Sequence, residues 1–262
     1  MENLLMCSPN YYDVTYSINP WMHPELEVDR TLASEQWQNL VELIKNFLGL
    51  KVEVLTQRQG LPDMVFSADQ GIIFDKTFIQ ANFRYPQRRE EAKLYASWFK
   101  KRGYKIIHLP QKIKFEGGDF LFWNDKILAG FGFRTDKASH KEIAKITGKK
   151  VISLELIDPF LYHLDMTVFP IDDQNLIYYP GAFSKETRKL IEKEAKSTVK
   201  ATRKDTLNFA LNALVHKKKI ITAKGLNGLL SDLIAKGFKI VESDVSEFKK
   251  AGGGVHCLIF SI

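Results

Sequence analysis

The feature that most constrains the fold is a four-residue motif that recurs along the chain. In each copy a glycine, a variable residue and a lysine are followed by valine or isoleucine and then by a short β-like run. An amphipathic stretch precedes each copy. Because a glycine just past a helix readily adopts the left-handed conformation, each copy predicts a helix, a glycine cap and a strand. The copies are "GLKV" at 49–52, "GYKI" at 103–106, "GKKV" at 148–151 and "GFKI" at 237–240.

The stretches before the glycines have helical periodicity. Apolar residues before Gly49 recur at spacings of three and four between Trp37 and Leu48, which is typical of one buried helix face. The segments "RREEAKLYASWFKK", "SHKEIAKI" and "LNGLLSDLIAK" precede the other three glycines and show the same pattern.

The spacing of the repeat lysines predicts a further copy. Lys51, Lys105 and Lys150 are 54 and 45 residues apart, whereas Lys239 follows after 89, about twice the unit. A fifth copy is therefore expected near residues 195–200, where "SKETRKLIEKEAKSTVKA" offers an N-cap at Ser184 but no glycine. Five units of a helix and short strands favour closure by radial repetition over a doubly wound sheet.

Residues with acid–base or nucleophilic chemistry follow the repeat strands at similar distances. Each lies between 11 and 18 residues past its repeat lysine. In a radially repeated fold equivalent positions converge on the central axis, so these side chains are expected to meet in one pocket. These residues are Asp63 and Asp69, Glu116 and Asp119, His163 and Asp165, and Cys257.

Alternation along a strand separates the two candidate histidines. If "YHLDMTV" is a strand, His163, Asp165 and Thr167 share one face. If "VHCLI" is a strand, His256 and Cys257 point to opposite faces, so His163 is preferred as the partner of the thiol. Cys7 has no comparable surroundings and is interpreted as structural.

Composition excludes several other classes of function. The net charge is +7, but lysine and arginine are scattered and mostly follow helical segments, which favours solvated surface charge over nucleic-acid binding. Neither His-x₃-His nor Cys-x₂-Cys occurs, so no metal is expected, and nothing indicates a cofactor. No apolar stretch approaches the roughly 20 residues of a membrane span, and no signal peptide is evident. With two distant cysteines, a cytoplasmic location is expected.

The candidate residues form a set that could bind a planar cation and react with it: a thiol, an imidazole and several carboxylates. Carboxylates bind guanidinium through paired, charge-assisted hydrogen bonds. A bound cation favours the thiolate form of a nearby cysteine, and attack on the delocalised guanidinium carbon needs a proton donor for the leaving nitrogen.

The motifs "PDMVFSAD", "FEGGD", "RTD" after "FGF", "YHLD" and "GGGVHC" occur in that order. Together they resemble the motifs of the guanidino-group-modifying enzymes, namely arginine deiminases, dimethylarginine dimethylaminohydrolases, arginine dihydrolases and amidinotransferases. The resemblance runs from about residue 6 to the C-terminus. It implies a pentein fold, an α/β propeller of five β-β-α-β units around a central active site, as a single catalytic domain over residues 1–262.

The resemblance also implies a role for each matching residue. Cys257 would attack the guanidinium carbon and form a thiouronium intermediate, His163 would protonate the leaving amine and then activate water, and Glu116 would orient the guanidinium. The further guanidinium contacts implied are Asp63, Asp69 and Asp165. The implied contacts to the substrate's carboxylate and amino groups are Arg88 (with Arg89 as a neighbouring candidate), Arg134 and Asn19.

Departures from the family pattern narrow the prediction. Asp69 stands where dihydrolase-type members have asparagine, which disfavours complete hydrolysis to ornithine, and Ile259 stands where many members have threonine. The prediction is a cysteine-dependent amidine hydrolase that converts arginine or a methylated arginine to citrulline. An amidinotransferase, an arginine dihydrolase giving ornithine and a non-catalytic basic scaffold remain alternatives. The expected partner is a small guanidino compound, with no nucleic acid and no membrane, and homo-oligomerisation is left open.

Overall fold

The computed structural model describes residues 3–225 and 229–262, which contain short strands alternating with helices. The strands are β1 (Asn3–Cys7), β2 (Lys51–Leu55), β3 (Gly71–Phe74), β4 (Thr77–Gln80), β5 (Lys105–His108), β6 (Phe120–Trp123), β7 (Lys126–Phe131), β8 (Lys150–Glu155), β9 (Val168–Pro170), β10 (Asn175–Tyr178), β11 (Ser197–Lys200), β12 (Leu214–His216), β13 (Lys219–Ala223), β14 (Lys239–Ser243) and β15 (Ile259–Ser261). The helices are α1 (Arg30–Leu43, continued by a π-helical turn Ile44–Leu48), α2 (Arg89–Lys101), α3 (Ala138–Thr147), α4 (Lys185–Glu194), α5 (Arg203–Leu207), α6 (Leu229–Ala235) and α7 (Ser246–Lys249).

The chain forms two compact units, one of Met1–Ser67 with Ala201–Ile262 and the other of Ala68–Lys200. Within the described residues the first unit holds two three-stranded sheets and the second holds three. All five have one topology: the middle strand pairs antiparallel with one neighbour and parallel with the other. The sheet orders are β15-β1-β2 and β12-β13-β14 in the first unit, and β3-β4-β5, β6-β7-β8 and β9-β10-β11 in the second.

The register of the parallel pairs confirms the predicted fivefold repeat. Each repeat lysine begins the third strand of its sheet and lies opposite the first residue of the middle strand, as Lys105 does with Thr77. In the fifth copy this position is Ser197, opposite Asn175. The four lysines are exposed at the start of edge strands, where a charged side chain discourages pairing with another chain.

The helices before the repeat strands are also confirmed. Gly49 and Gly148 cap α1 with its π-helical turn and α3 in the left-handed conformation, with φ of 76° and 66°. In the fifth copy Ser184 caps the start of α4, while Ala195 at the glycine position is extended, with φ −92° and ψ 144°. Alanine is extended here because its Cβ disfavours the left-handed region. Residues 226–228, which begin the helix predicted before Gly237, lie outside the described residues.

One sheet of the first unit joins segments from opposite ends of the sequence. β1 lies between β2 and β15, and Leu4 pairs with Ser261. The last strand, β15, begins two residues after Cys257 and therefore holds the thiol next to a buried sheet.

The core of the second unit is built from the inner strands and their connections. Ile79, Ile127 and Ala129 of two middle strands are fully buried and pack with Phe115, and Ile143 of α3 belongs to the same cluster. Burial of the middle strands agrees with their position between two neighbours in every sheet. In the part of the chain that the structure describes, no helix has the length and apolarity needed to cross a membrane.

Candidate active site

Short 3₁₀ turns position most of the candidate residues. Such turns end one or two residues before the start of an outer strand in four sheets, so a polar side chain in the turn lies near the N-terminal end of that strand. The turns are Ser67–Gln70 before β3, Gly117–Asp119 before β6, Leu164–Met166 before β9 and His256–Leu258 before β15.

The prediction that "YHLDMTV" is a strand is wrong. His163 is extended, with φ −120° and ψ 153°, but the chain then turns and β9 begins only at Val168. The turn forms because Asp119 accepts the backbone N–H of Leu164 at 3.1 Å and the hydroxyl of Thr167 donates to the Leu164 carbonyl at 2.8 Å. Such side-chain-to-backbone bonds compete with strand pairing. The shared face of His163, Asp165 and Thr167 is therefore not formed.

Within the second unit, the His163 ring lies between two carboxylates. Its Nε2 is 3.0 Å from Oε2 of Glu116, and its Nδ1 is 3.3 Å from Oδ1 of Asp69. Burial disfavours the charged ring, but Asp69, Glu116 and Asp119 outweigh this and raise the pKa of His163 to about 9. At neutral pH the residue is therefore an imidazolium, which is a proton donor.

Glu116 joins this imidazolium to a buried arginine. Its Oε2 also accepts from Nη1 of Arg134 at 3.0 Å, and its backbone N–H donates to the hydroxyl of Thr135 at 3.1 Å. Burial opposes ionisation, but the positive charges of Arg134 and His163 hold the pKa of Glu116 well below its usual range. Glu116 is thus a permanent carboxylate at neutral pH.

Both predicted arginines are buried and bind carboxylates of the protein. Arg88 donates from Nη1 to Asp69 at 2.6 Å and from Nη2 to Glu91 at 2.9 Å. The guanidinium of Arg134 packs near the rings of Tyr85 and Tyr162, at 4.8 and 4.5 Å from their centres. Their role as contacts for a substrate carboxylate stays a prediction.

The second glycine of "FEGGD" is required by close packing within the site. A Cβ added to Gly118 would lie 2.7 Å from Oδ1 of Asp69 and 2.8 Å from Nδ1 of His163. Glycine therefore lets the backbone approach the carboxylate–imidazole pair.

Two acidic residues complete the description of the second unit's site. Asp165 is buried in the turn directly after His163. Asp119 is fully buried, and because burial outweighs the influence of His163, its pKa is raised to about 6. Asp119 holds the segment after His163 by accepting the Leu164 N–H, and its charge also contributes to the raised pKa of His163.

In the first unit, Cys257 lies in a 3₁₀ turn and not in a strand, so the strand alternation used to reject His256 does not apply. Cys257 is buried and His256 is half-buried. Asn212 donates from Nδ2 to Sγ of Cys257 at 3.1 Å, and its Oδ1 accepts the Cys257 backbone N–H at 3.1 Å. The thiol is therefore held by an amide side chain that the sequence interpretation overlooked.

Asp63 and Asn19 are also buried in the first unit. The Tyr16 hydroxyl donates to Oδ2 of Asp63 at 2.8 Å. Asn19 donates from Nδ2 to the Ala251 carbonyl at 3.0 Å, which ties the N-terminal loop to the segment before the glycine run.

Several residues of the site were not among the predicted ones. Asn212 lies 15 residues after Ser197, the fifth-copy equivalent of the repeat lysines. The other candidate residues lie 11 to 18 residues past those lysines, so the same spacing could have identified Asn212. Glu91 lies three residues after Arg88 in "RREE", a spacing that favours ion pairs on a helix. Across residues 3–225 and 229–262 no group of three or more His, Cys, Asp or Glu residues is arranged to hold a metal ion.

The family model described as "N,N dimethylarginine dimethylhydrolase, eukaryotic" matches residues 15–262. The chain belongs to this dimethylarginine dimethylaminohydrolase family. Enzymes of this family hydrolyse C–N bonds of linear amidines, and the chain is therefore a hydrolase of this class with a small-molecule substrate.

Individual relatives support this membership. The N(G),N(G)-dimethylarginine dimethylaminohydrolase of Mycobacterium tuberculosis is 37% identical over 257 residues, which cover 98% of this family member and 84% of the relative. The bifunctional arginine dihydrolase/ornithine cyclodeaminase AgrE of Nostoc is 36% identical over 264 residues, 98% of this chain but only 37% of the relative's length.

A solved structure confirms the predicted pentein fold of this dimethylarginine dimethylaminohydrolase family member. The N-terminal domain of ArgZ, a cyanobacterial arginine dihydrolase, superposes with a TM-score of 0.94 at 36% identity, covering 98% of this chain and 97% of that one. That protein is a cysteine-to-serine variant bound to its substrate.

Proposed function

We propose that the protein hydrolyses the guanidinium group of arginine or an Nω-methylated arginine to citrulline, with release of ammonia or a methylamine. The observation that carries the proposal is the buried imidazolium of His163 between Glu116 and Asp69. Departure of an amine from a tetrahedral carbon needs a proton donor that is still protonated at neutral pH, and the raised pKa of His163 meets that need.

In the first half-reaction the thiolate of Cys257 attacks the guanidinium carbon and forms a C–S bond. His163 gives its proton to the leaving nitrogen, the C–N bond breaks, and ammonia or the methylamine departs. The remaining thiouronium is covalently attached to Cys257.

In the second half-reaction water attacks the same carbon. Neutral His163 takes a proton from the water, so it returns to its starting charge. The C–S bond then breaks, which regenerates the thiolate, and the hydroxyl group loses its proton to solvent as citrulline is released. This proton accounts for the protonated form of the ammonia or methylamine at neutral pH.

The buried carboxylates supply the recognition of the substrate's positive charge. Glu116 is ionised, and Asp63, Asp69 and Asp165 are the further guanidinium contacts that we assign. Of the two His163 contacts, the one from Nδ1 to Asp69 is longer at 3.3 Å, and we assign it as the contact that the bound guanidinium displaces. Arg88, Arg134 and Asn19 are assigned to the amino-acid end of the substrate.

A second candidate, complete hydrolysis to ornithine, is favoured by one observation. Two of the similar proteins, ArgZ and AgrE, are named as arginine dihydrolases at 36% identity. Against it stands Asp69, because the dihydrolase-type motif has asparagine at this position. We therefore rank citrulline as the product.

The test is incubation of the purified protein with arginine, monomethylarginine, dimethylarginine and agmatine, followed by chromatography for citrulline, ornithine and amines. We expect citrulline with a stoichiometric amount of ammonia or methylamine. Ornithine with two ammonia molecules would transfer the assignment to the dihydrolase reaction.

Matched cysteine variants test the covalent step. Cys257→Ser should abolish turnover and remove the substrate-derived mass that rapid quenching traps on the protein. Cys7→Ser should retain both, because Cys7 lies in β1 and has no assigned role. Persistent turnover in Cys257→Ser would refute the mechanism.

We also propose a cytoplasmic location, because two cysteines at distant positions in the sequence are too few for a disulfide framework. We also keep a homo-oligomer as a proposal, to be tested by light scattering of the purified protein.

A further inference from the structure

We propose that Asn212 is a catalytic residue of the hydrolysis proposed above, because its side-chain amide holds Cys257 as a thiolate. The inference rests on the proposed function for its role in turnover, but its central claim concerns the ionisation of the thiol alone. It involves only residues of the first unit.

The amide of Asn212 makes two bonds to the same residue. Oδ1 accepts the backbone N–H of Cys257 at 3.1 Å, while Nδ2 lies 3.1 Å from Sγ. A backbone N–H can only donate, so the amide oxygen must face it and the NH₂ group must face the sulfur. The orientation of the amide is thus dictated by the backbone, and the sulfur receives a hydrogen-bond donor.

The surrounding backbone fixes Asn212 in this position. Its side chain is fully buried, its carbonyl accepts the N–H of His256 at 3.3 Å, and its own N–H donates to the Phe209 carbonyl at 3.2 Å. A Cβ on Gly254 would lie 2.7 Å from Oδ1 of Asn212. One glycine of "AGGGVHC" therefore makes room for this amide.

Backbone strain next to Asn212 is a second, independent indication of function. Phe209 adopts a φ of +64°, a left-handed conformation that bulky residues rarely take. Its ring is buried and packs against Trp21, with centroids 4.9 Å apart. Strain of this kind persists where the surrounding structure enforces it, and it concentrates at active sites. Here the left-handed conformation of Phe209 changes the direction of the backbone three residues before Asn212, whose side chain then contacts the thiol.

The chemical consequence is a bias toward the ionised sulfur. A hydrogen bond to a charged acceptor is stronger than one to a neutral acceptor, so the Nδ2 donor stabilises the thiolate more than the thiol. The effect is present before any guanidinium binds. Cys257 is therefore prepared for attack by the protein itself, and the substrate cation adds to an existing preference.

The test compares the thiolate titration of wild type, Asn212→Ala and Asn212→Asp with that of the matched control Asn208→Ala. Asn208 lies in the same segment, but its Nδ2 donates to the Gly225 carbonyl. The ultraviolet absorbance of each protein is titrated against the same protein carrying Cys257→Ser. The difference isolates Cys257 from Cys7 and from the tyrosines.

We expect the midpoint to rise by about one pH unit or more in Asn212→Ala, as loss of a charge-assisted bond requires. The rise should be larger in Asn212→Asp, because a carboxylate opposes the thiolate. At neutral pH kcat should fall about tenfold in Asn212→Ala, with KM unchanged and with recovery at higher pH. Asn208→Ala should match wild type in all three measurements.

Coinciding midpoints for wild type, Asn212→Ala and Asn212→Asp would overturn the inference. If Asn212→Ala does not fold by circular dichroism, Asn212→Asp carries the test, because it retains an acceptor for the Cys257 N–H. A shifted midpoint in a protein that turns over no guanidine would refute the proposed function and support the inference. Citrulline production with unshifted midpoints would do the reverse.

Discussion

His163 and Glu116 form a buried imidazolium–carboxylate pair, with 3.0 Å between Nε2 and Oε2. The two residues lie 47 positions apart in the sequence and both precede the first strand of a sheet. The carboxylate does two things for the ring: it fixes its plane by accepting from Nε2, and it favours the proton that the leaving amine requires.

Replacement of this carboxylate should therefore weaken the acid. In Glu116→Gln the pKa of His163 should fall, and kcat at neutral pH should drop by about a hundredfold, the usual scale of a lost general acid. The measurement is the pH dependence of kcat/KM, whose alkaline limb should move to lower pH. Glu142→Gln is the control, since Glu142 forms a surface pair with Lys145. An alkaline limb that stays in place would contradict the assigned partnership.

Stability should depend on pH through the same histidine. The pKa of His163 is about 9 in the folded protein and 6.5 for the unperturbed group, so its contribution is fully present below pH 6.5 and is lost as pH rises through 9. We expect the free energy of unfolding to fall by about 3 kcal/mol or less across this window. Urea denaturation at a series of pH values measures it.

His163→Gln is the control for that experiment, and its stability should change less over the same range. Asp119 does not interfere. Its pKa is raised from 3.8 to about 6, so the change in stability that it causes takes place between these pH values and is largely complete before the pH reaches 6.5. Equal slopes for wild type and His163→Gln would show that another group controls the alkaline loss.

Addition of one methyl group at Gly118 should inactivate the protein. In Gly118→Ala the new Cβ would collide with Asp69 and His163, so the carboxylate and the ring must separate. Activity should fall more steeply than stability. Gly60→Ala is a matched control. A Cβ added there meets no atom within 4 Å, while the backbone at residue 60 has a φ of +82° that alanine disfavours. This substitution should cost about 1 kcal/mol of stability and leave kcat/KM intact.

Asp69→Asn separates charge from shape at the position that distinguishes this chain from dihydrolase-type motifs. Asp69 contacts both His163 and Arg88, so the neutral amide should lower the pKa of His163 and weaken guanidinium binding, with KM rising about tenfold. Some ornithine should accompany citrulline. Unchanged KM and unchanged product would remove Asp69 from the guanidinium contacts.

The repeat architecture could be predicted because it is encoded locally. Glycine after a helix and lysine at the start of an edge strand are each specified by a few neighbouring residues, as at Gly148 and Lys150. The fifth copy was located by its spacing and by the N-cap at Ser184, even though alanine stands at the glycine position, residue 195.

The turns that carry the chemistry could not be predicted in the same way. The segment after His163 alternates like a strand, but a carboxylate 45 positions earlier, that of Asp119, captures its backbone N–H. Asn212 captures the N–H of Cys257 across the same sequence distance. Contacts between residues so far apart do not alter the alternation of polar and apolar residues within a segment, so that alternation was misleading at both places.

Pairing of β1 with β15 has a consequence for the order of events during synthesis. Residues 3–7 leave the ribosome about 250 residues before the segment that they pair with, and contacts of such high separation form late. β1 must therefore remain without its antiparallel neighbour while the residues between them are synthesised. The nucleophile, two positions ahead of β15, therefore reaches its final surroundings only after β15 has been made. A nascent chain would carry an unassembled thiol and no amidine hydrolysis until that late pairing is complete.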